Sequence, residues 1–202
     1  MTPAIVSIII ASLSLGISAT TAWLTLFRRG RLAMTKPHVV FFGFDDVPKV
    51  TAKIFLRGLL YSTAARGQVI EGMFAKLTRT GSEQTFGFWG YGETTRLNVG
   101  SGLFVGQTGV AVNHHFVLSV HEAEYRFMAG AYTVEVFARL AGVRAPRRLQ
   151  TVEIVVTDSH AKALRRHEGV LFELNPDGAG YSGHARPRPA LNGGETFQFD
   201  VD

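Results

Sequence analysis

From Ala4 to Phe27 the chain runs for 24 residues without a charge, and beyond Pro37 it changes to short runs in which apolar and polar positions alternate. The first pattern predicts a helix. At 1.5 Å per residue it is about 36 Å long, against a hydrocarbon layer of about 30 Å. Eleven of its residues are Ile, Val, Leu or Phe, worth roughly −3 to −7 kcal/mol for insertion, whereas each Arg at the helix centre would cost about 2.5 to 3.5 kcal/mol. The span must therefore stop at Phe27, because Arg28, Arg29, Arg31 and Lys36 follow within nine residues. Residues 28–37 read as a basic juxtamembrane linker.

The alternating pattern predicts seven strands: 38–44, 49–61, 68–79, 84–93, 111–120, 131–140 and 149–157, each bounded by Gly, Pro, Asp, Asn or Thr. No long helical pattern separates them, which favours an antiparallel sandwich over a parallel α/β sheet. The clearest run is GAYTVEVFARL, with Tyr132, Val134, Val136, Ala138 and Leu140 on one face and Thr133, Glu135, Phe137 and Arg139 on the other. In the third run the parity is ambiguous. Val69, Met73, Ala75 and Leu77 share their set with Glu71, while Ile70 and Phe74 fall in the other. After Thr157 a short basic helix, capped by Asp158 or Ser159, leads to a strand-like VLFEL. The remaining Gly- and Pro-rich stretch reads as irregular, and ETFQFDVD alternates again at the end.

Gly130, Tyr132 and Val134 give this sequence a resemblance to immunoglobulin-like domains, in which a Gly-x-Tyr stretch opens the sixth strand. The resemblance covers about residues 38–157 and implies a β-sandwich whose Tyr132 hydroxyl bonds back to upstream backbone. It also implies that Trp89 is the buried strand-C tryptophan. It carries no catalytic residues, since such domains mostly bind or scaffold. The expected fold class is thus mainly β: a transmembrane helix (4–27), the linker (28–37), an immunoglobulin-like sandwich (38–157), and a short helix with a tail (158–202).

Charge decides orientation. No Lys or Arg precedes the helix and four cations follow it, so the rule that cations stay inside places the C-terminal part in the cytoplasm. A signal sequence cut near Ala19 or Ala22, exporting the domain, is the rival reading; the missing basic n-region counts against it. The net charge of +5 draws further on Arg144, Arg147, Arg148, Arg165, Arg166, Arg186 and Arg188. These suit solvated loops, anionic lipid or an acidic partner. No nucleic-acid-binding module frames them, so nucleic acid is not an expected partner. The sequence holds no cysteine, which removes disulfides, thiolate metal sites and a cysteine nucleophile from consideration.

Three motifs invite chemistry. VGSGLFVGQTG resembles a phosphate loop only superficially, because a strand rather than a helix follows; Gly106 to Gly109 read as a hairpin turn. His114, His115 and His121 lie within eight residues, but a strand separates His115 from His121 by about 20 Å. The stretch FGFWGYGE offers Phe88, Trp89 and Tyr91 as a possible contact patch for protein or carbohydrate. Ser, His and Asp occur without a nucleophile elbow. Ser12, Gly16 and Thr20 form a small-residue stripe on the helix, suited to packing against another membrane helix. The expectation is a non-catalytic, membrane-anchored binding or assembly module, with the bilayer and a protein as partners and no cofactor. An accessory role in a larger membrane complex is one form of it. The alternative is an envelope-side metal- or carbohydrate-binding protein.

Overall fold

The computed structural model describes residues 2–27, 30–45, 50–93, 96–99, 102–119 and 125–187. Helix α1 spans Pro3–Ala22 and continues as a π-helical stretch, Trp23–Phe27. Pro3 sits at the helix start, where its missing N–H costs nothing. The run Pro3–Thr25 has a mean hydropathy of 1.9 and is long and apolar enough to cross a membrane. None of α1 is buried against the rest of the chain.

Among the described residues thirteen strands follow: β1 (Leu32–Met34), β2 (Val39–Asp45), β3 (Thr51–Ser62), β4 (Gln68–Arg79), β5 (Ser82–Phe86), β6 (Phe88–Glu93), β7 (Arg96–Val99), β8 (Leu103–Val105), β9 (Val110–Val117), β10 (Gly130–Leu140), β11 (Arg147–Val156), β12 (Gly169–Leu174) and β13 (Tyr181–Arg186). A short helix, α2 (Asp158–Arg165), lies between β11 and β12. The larger sheet has the order β13-β12-β2-β3-β9-β6-β7, with β1 also on β3; the smaller has the order β11-β10-β4-β5, with β8 also on β4. Every pairing is antiparallel. The chain is therefore of the mainly β class, two sheets with their apolar faces together.

Phe42 marks the centre of the core. Its ring stacks on Phe127 at 5.1 Å and meets the edges of Tyr132 at 5.8 Å and Phe172 at 5.3 Å, joining β2 and β12 of one sheet to β10 of the other. The inward set of β10 is as its alternation predicts: Tyr132, Val134, Val136, Ala138 and Leu140 are all buried. Its odd member on the outer face, Phe137, stacks on Phe74 of β4 at 5.0 Å and so sheds part of its apolar surface.

The departures from the sequence pattern have local causes. In β4 the register against β10 slips between Gly72 and Ile70, leaving Glu71 as an extra residue. This bulge inverts the parity, so Ile70 is buried on one side of it and Met73, Ala75 and Leu77 on the other. The 84–93 run is two strands, broken at Gly87, because β5 pairs in the smaller sheet and β6 in the larger. Part of the predicted linker is strand β1, held on β3 from Leu32↔Ser62 to Met34↔Leu60. The predicted irregular stretch contains β13, whose exposed side chains are mostly polar or small. Through β12 and β13 the larger sheet reaches well past residue 157. Helix α2 is capped by Thr157, one residue earlier than expected: its hydroxyl accepts the His160 N–H while His160 Nδ1 accepts the Thr157 N–H, both at 3.3 Å. The 106–109 turn does not close a hairpin. It joins β8 of the smaller sheet to β9 of the larger, and only Gly109 takes a left-handed φ, of +76°.

The Tyr132 hydroxyl donates to the Met128 carbonyl and accepts the Met128 N–H, both at 2.8 Å, pinning the segment before β10. Tyr132→Phe strands both backbone groups, so it should lower the unfolding free energy by about 1 to 3 kcal/mol. Urea unfolding of the full chain in detergent micelles checks this, and an unchanged midpoint would deny the hydroxyl a structural role.

Candidate functional site

In β9 four successive residues, Asn113 to Phe116, are buried. A strand with one covered face buries alternate residues, so here the outer-face members are shielded as well, His115 by neighbouring side chains such as the Phe55 ring 5.1 Å away. His114 and Phe116 point into the core beside Leu56 and Trp89, while Asn113 and His115 point outward. Trp89 Nε1–H donates to His114 Nδ1 at 3.3 Å, and Trp89 also stacks on Tyr91 at 4.8 Å. An indole can only donate, so His114 is the neutral tautomer with its proton on Nε2. That Nε2 has no partner among the described residues. Burial pushes the His114 pKa down to about 3, with the adjacent His115 adding to the effect.

On the outer face one row crosses the sheet. Leu171, Phe41, Phe55, His115, Gly90 and Val99 are successive partners from β12 to β7. Phe41 stacks on Phe55 at 4.8 Å, and Phe55 meets the His115 ring at 5.1 Å. The Phe41 ring lies over Gly43 and Gly169, where a Cβ would come within 2.3 to 2.6 Å of it; only glycine lets the ring lie flat. His115 is buried, and neither of its ring nitrogens has a partner among the described residues. Its pKa falls to about 4, first through burial and then through Lys53; Asp45, which pairs with Lys53 at 3.1 Å, opposes the shift. Beyond His115 the row reaches an apolar corner where Phe88 is 51% and Val99 41% exposed, next to half-buried Val117.

The predicted patch is thus split by strand parity. Phe88 lies on the outer face. Trp89 is buried and Tyr91 is half-buried against the core, so neither is a platform for a sugar or a partner. His114 and His115 sit on opposite faces of β9 and cannot share an ion; His121 lies outside the described residues. No group of three or more metal-binding side chains occurs among the described residues. The signal for the Phe41 and Phe55 row lies in HVVFFGF, which is apolar in both parities, so that one set enters the core and the other, with Phe41, lies on the outer face.

The remaining predicted residues separate in the same way. Arg28, Arg29 and Arg188 lie outside the described residues, whereas Arg31 is exposed and its N–H donates to Thr63 Oγ1 at 2.7 Å. Lys36 belongs to the folded domain rather than to a linker: its Nζ donates to the Gly178 carbonyl at 2.6 Å, over the Tyr181 ring. Ser12, Gly16 and Thr20 are exposed along α1. Gly130 has φ +140° and lies against Arg79, while Val134 is core. Arg148 pairs with Glu135 and Arg166 with Glu168, accounting for two of the C-terminal cations. A recess of about 260 Å³ opens among Phe44, Tyr125, Phe127 and Leu164, with Arg126, Arg165 and His167 at its wall. No protein-family profile and no curated protein matches this sequence.

Both buried histidines are neutral in the folded chain but charge freely when unfolded, near pH 6.5. The unfolded state then binds more protons, so stability is full above about pH 6.5 and falls as pH drops towards 4 and 3. The slope approaches about 1.4 kcal/mol per pH unit for each histidine, or about 4 kcal/mol for the pair between pH 8 and pH 5. Denaturant titration of the full chain at both pH values checks this; in the His115→Phe variant about half of the difference should vanish, and an unchanged difference would contradict the assignment.

Proposed function

We propose that the chain is a single-pass membrane protein whose immunoglobulin-like sandwich is a non-catalytic binding or assembly module on the cytoplasmic side. The observation that carries this reading is α1: twenty residues, apolar on every side, with none buried against the domain. An exposed apolar surface of that size in water is unfavourable by about 25 cal/mol per Å². A bilayer removes the penalty. The fold resemblance is supported by two facing sheets, by the Tyr132 hydroxyl on upstream backbone and by the buried Trp89. Orientation is supported by the cations after the helix and their absence before it.

The binding surface in this reading is the apolar outer face of the larger sheet, from Phe41 and Phe55 to Phe88 and Val99. Interfaces of this kind are rich in aromatic residues and poor in charge at their centre. The stripe of Ser12, Gly16 and Thr20 gives the anchor a face on which a second membrane helix could pack, as in an accessory subunit of a membrane complex.

Two measurements test the reading. A reporter active only in the cytoplasm, fused after Asp202, should be on, and activity of an exported reporter at the same place would reverse the orientation. A photoreactive phenylalanine at position 88 should crosslink a protein in intact cells, one at Thr151 on the smaller sheet should not, and Val99→Asp should abolish the adduct. Equal yields at 88 and 151, or none at 88, would contradict a partner face on the larger sheet.

A further inference from the structure

The end of the sandwich that receives α1 has its own surface chemistry. Phe27 closes the apolar helix and Gly30 already belongs to the domain, so only two residues lie between them and the three Cα–Cα steps reach roughly 11 Å at most. Gly30 packs so closely on Ala64 that a Cβ would come within 2.5 Å, and its carbonyl accepts Gln68 Nε2 at 2.6 Å. Arg31 and Thr63 exchange two further hydrogen bonds, at 2.7 and 3.0 Å. The polar layer of a bilayer is about 5 to 8 Å thick on each side. A helix ending at the hydrocarbon boundary therefore leaves this end of the domain in, or just above, the headgroups.

Among the described residues, three loops meet at that end: residues 63–67, 106–109 and 141–146. They are tied together, because the Ser62 N–H donates to Gly106 O and the Ala141 N–H to Val69 O, both at 3.0 Å, and Val69 pairs with Phe104 across β4 and β8. Phe104 is 58%, Val143 45% and Val69 39% exposed, an apolar group within a few residues of the anchor. Arg31, Arg66 and Arg144 are exposed around it. The stretches 62–69, 102–109 and 141–147 contain no Asp or Glu. The nearest acidic side chain is Glu71, exposed at the β4 bulge two residues beyond Val69; Asp45, Asp158 and Glu168 lie at the other end, Asp45 and Glu168 paired with Lys53 and Arg166.

We infer that this end of the sandwich is a second membrane-contact surface, in which Val69, Phe104 and Val143 enter the headgroup layer while Arg31, Arg66 and Arg144 meet anionic lipid phosphates. The inference rests on the anchor reading, which fixes where the bilayer lies. Exposed apolar side chains ringed by cations match an anionic leaflet in both hydrophobicity and charge. A protein bound at the same end would have to share the few ångströms left between domain and headgroups.

The sequence has no cysteine, so single cysteines carry a nitroxide unambiguously. Labels at Leu15→Cys, Phe104→Cys, Val143→Cys and, as a far-end control, Lys162→Cys are compared in the full chain, reconstituted into vesicles of phosphatidylcholine with phosphatidylglycerol. Collision with oxygen should dominate at 15, 104 and 143, and collision with a water-soluble nickel chelate at 162. In pure phosphatidylcholine, or with Arg66→Glu and Arg144→Glu, the label at 104 should shift towards the nickel chelate. Aqueous labels at 104 and 143 with a lipid-buried 15 would overturn the contact surface and leave the anchor standing. An aqueous label at 15 would overturn the anchor and the inference with it. Unchanged lipid exposure of 104 in the charge-reversed variant or in neutral vesicles would overturn the role of anionic lipid.

Discussion

A twenty-residue apolar helix, none of it buried against the rest of the described chain, is a constraint from which much of this protein follows. Each large side chain left in water forfeits about 1.5 to 3 kcal/mol of burial free energy, and α1 exposes Ile5, Ile8, Ile9, Ile10, Leu13, Leu15 and Ile17 together. The domain does not supply the missing apolar contacts. Its own core is closed, with Phe42, Phe116, Phe127 and Phe172 fully buried between the sheets. In the proposed reading helix and sandwich have separate solvents, and the shortness of the connection to Gly30 limits how far apart those solvents can be.

Within the sandwich, the two sheets are welded by aromatic rings rather than by ion pairs. Phe42 and Phe127 provide the contact at the centre, and Tyr132 adds a hydroxyl that ties the chain entering β10 to its own backbone. Lys76–Glu83, Arg148–Glu135 and Arg166–Glu168 lie at the surface, where such pairs contribute about 0 to 1 kcal/mol each, and the part-buried Lys53–Asp45 pair sits on the outer side of the larger sheet rather than between the sheets. Among the described residues, polarity intrudes on the interior most at β9, where Asn113, His114 and His115 are buried in succession; Thr51 and Ser62 at the two ends of β3 are also buried. His114 and His115 back onto each other through the strand, one in the core and one beneath the outer aromatic row, with three ring nitrogens unpartnered among the described residues. That arrangement costs free energy as protons become abundant, and it joins the stability of the core to the outer face of the larger sheet.

Much of the architecture was legible in the sequence. The apolar helix reads from its length and lack of charge, and β10 from five alternating residues that all turn out buried. Elsewhere the alternation misled for physical reasons. The bulge at Glu71 swaps the two faces of β4, Gly87 lets one apparent strand serve two sheets, and β13 is a mostly exposed edge strand with little apolar content. The patch at Phe88 was half legible: the residue is exposed, but parity sends Trp89 and Tyr91 to the core side. The apolar end at Val69, Phe104 and Val143 was not legible at all. Its members come from β4, β8 and the β10–β11 turn, and only the pairing of β8 with β4 and the crossing to β9 bring them beside Gly30.

The most direct measurement of the central claim is alkaline carbonate extraction of membranes from cells expressing the full chain, followed by the intact mass of the extracted protein. Retention in the membrane pellet with residues 2–27 still attached is the predicted result. Release into the supernatant, or a mass corresponding to cleavage near Ala19 or Ala22, would contradict it and return the domain to water without its anchor.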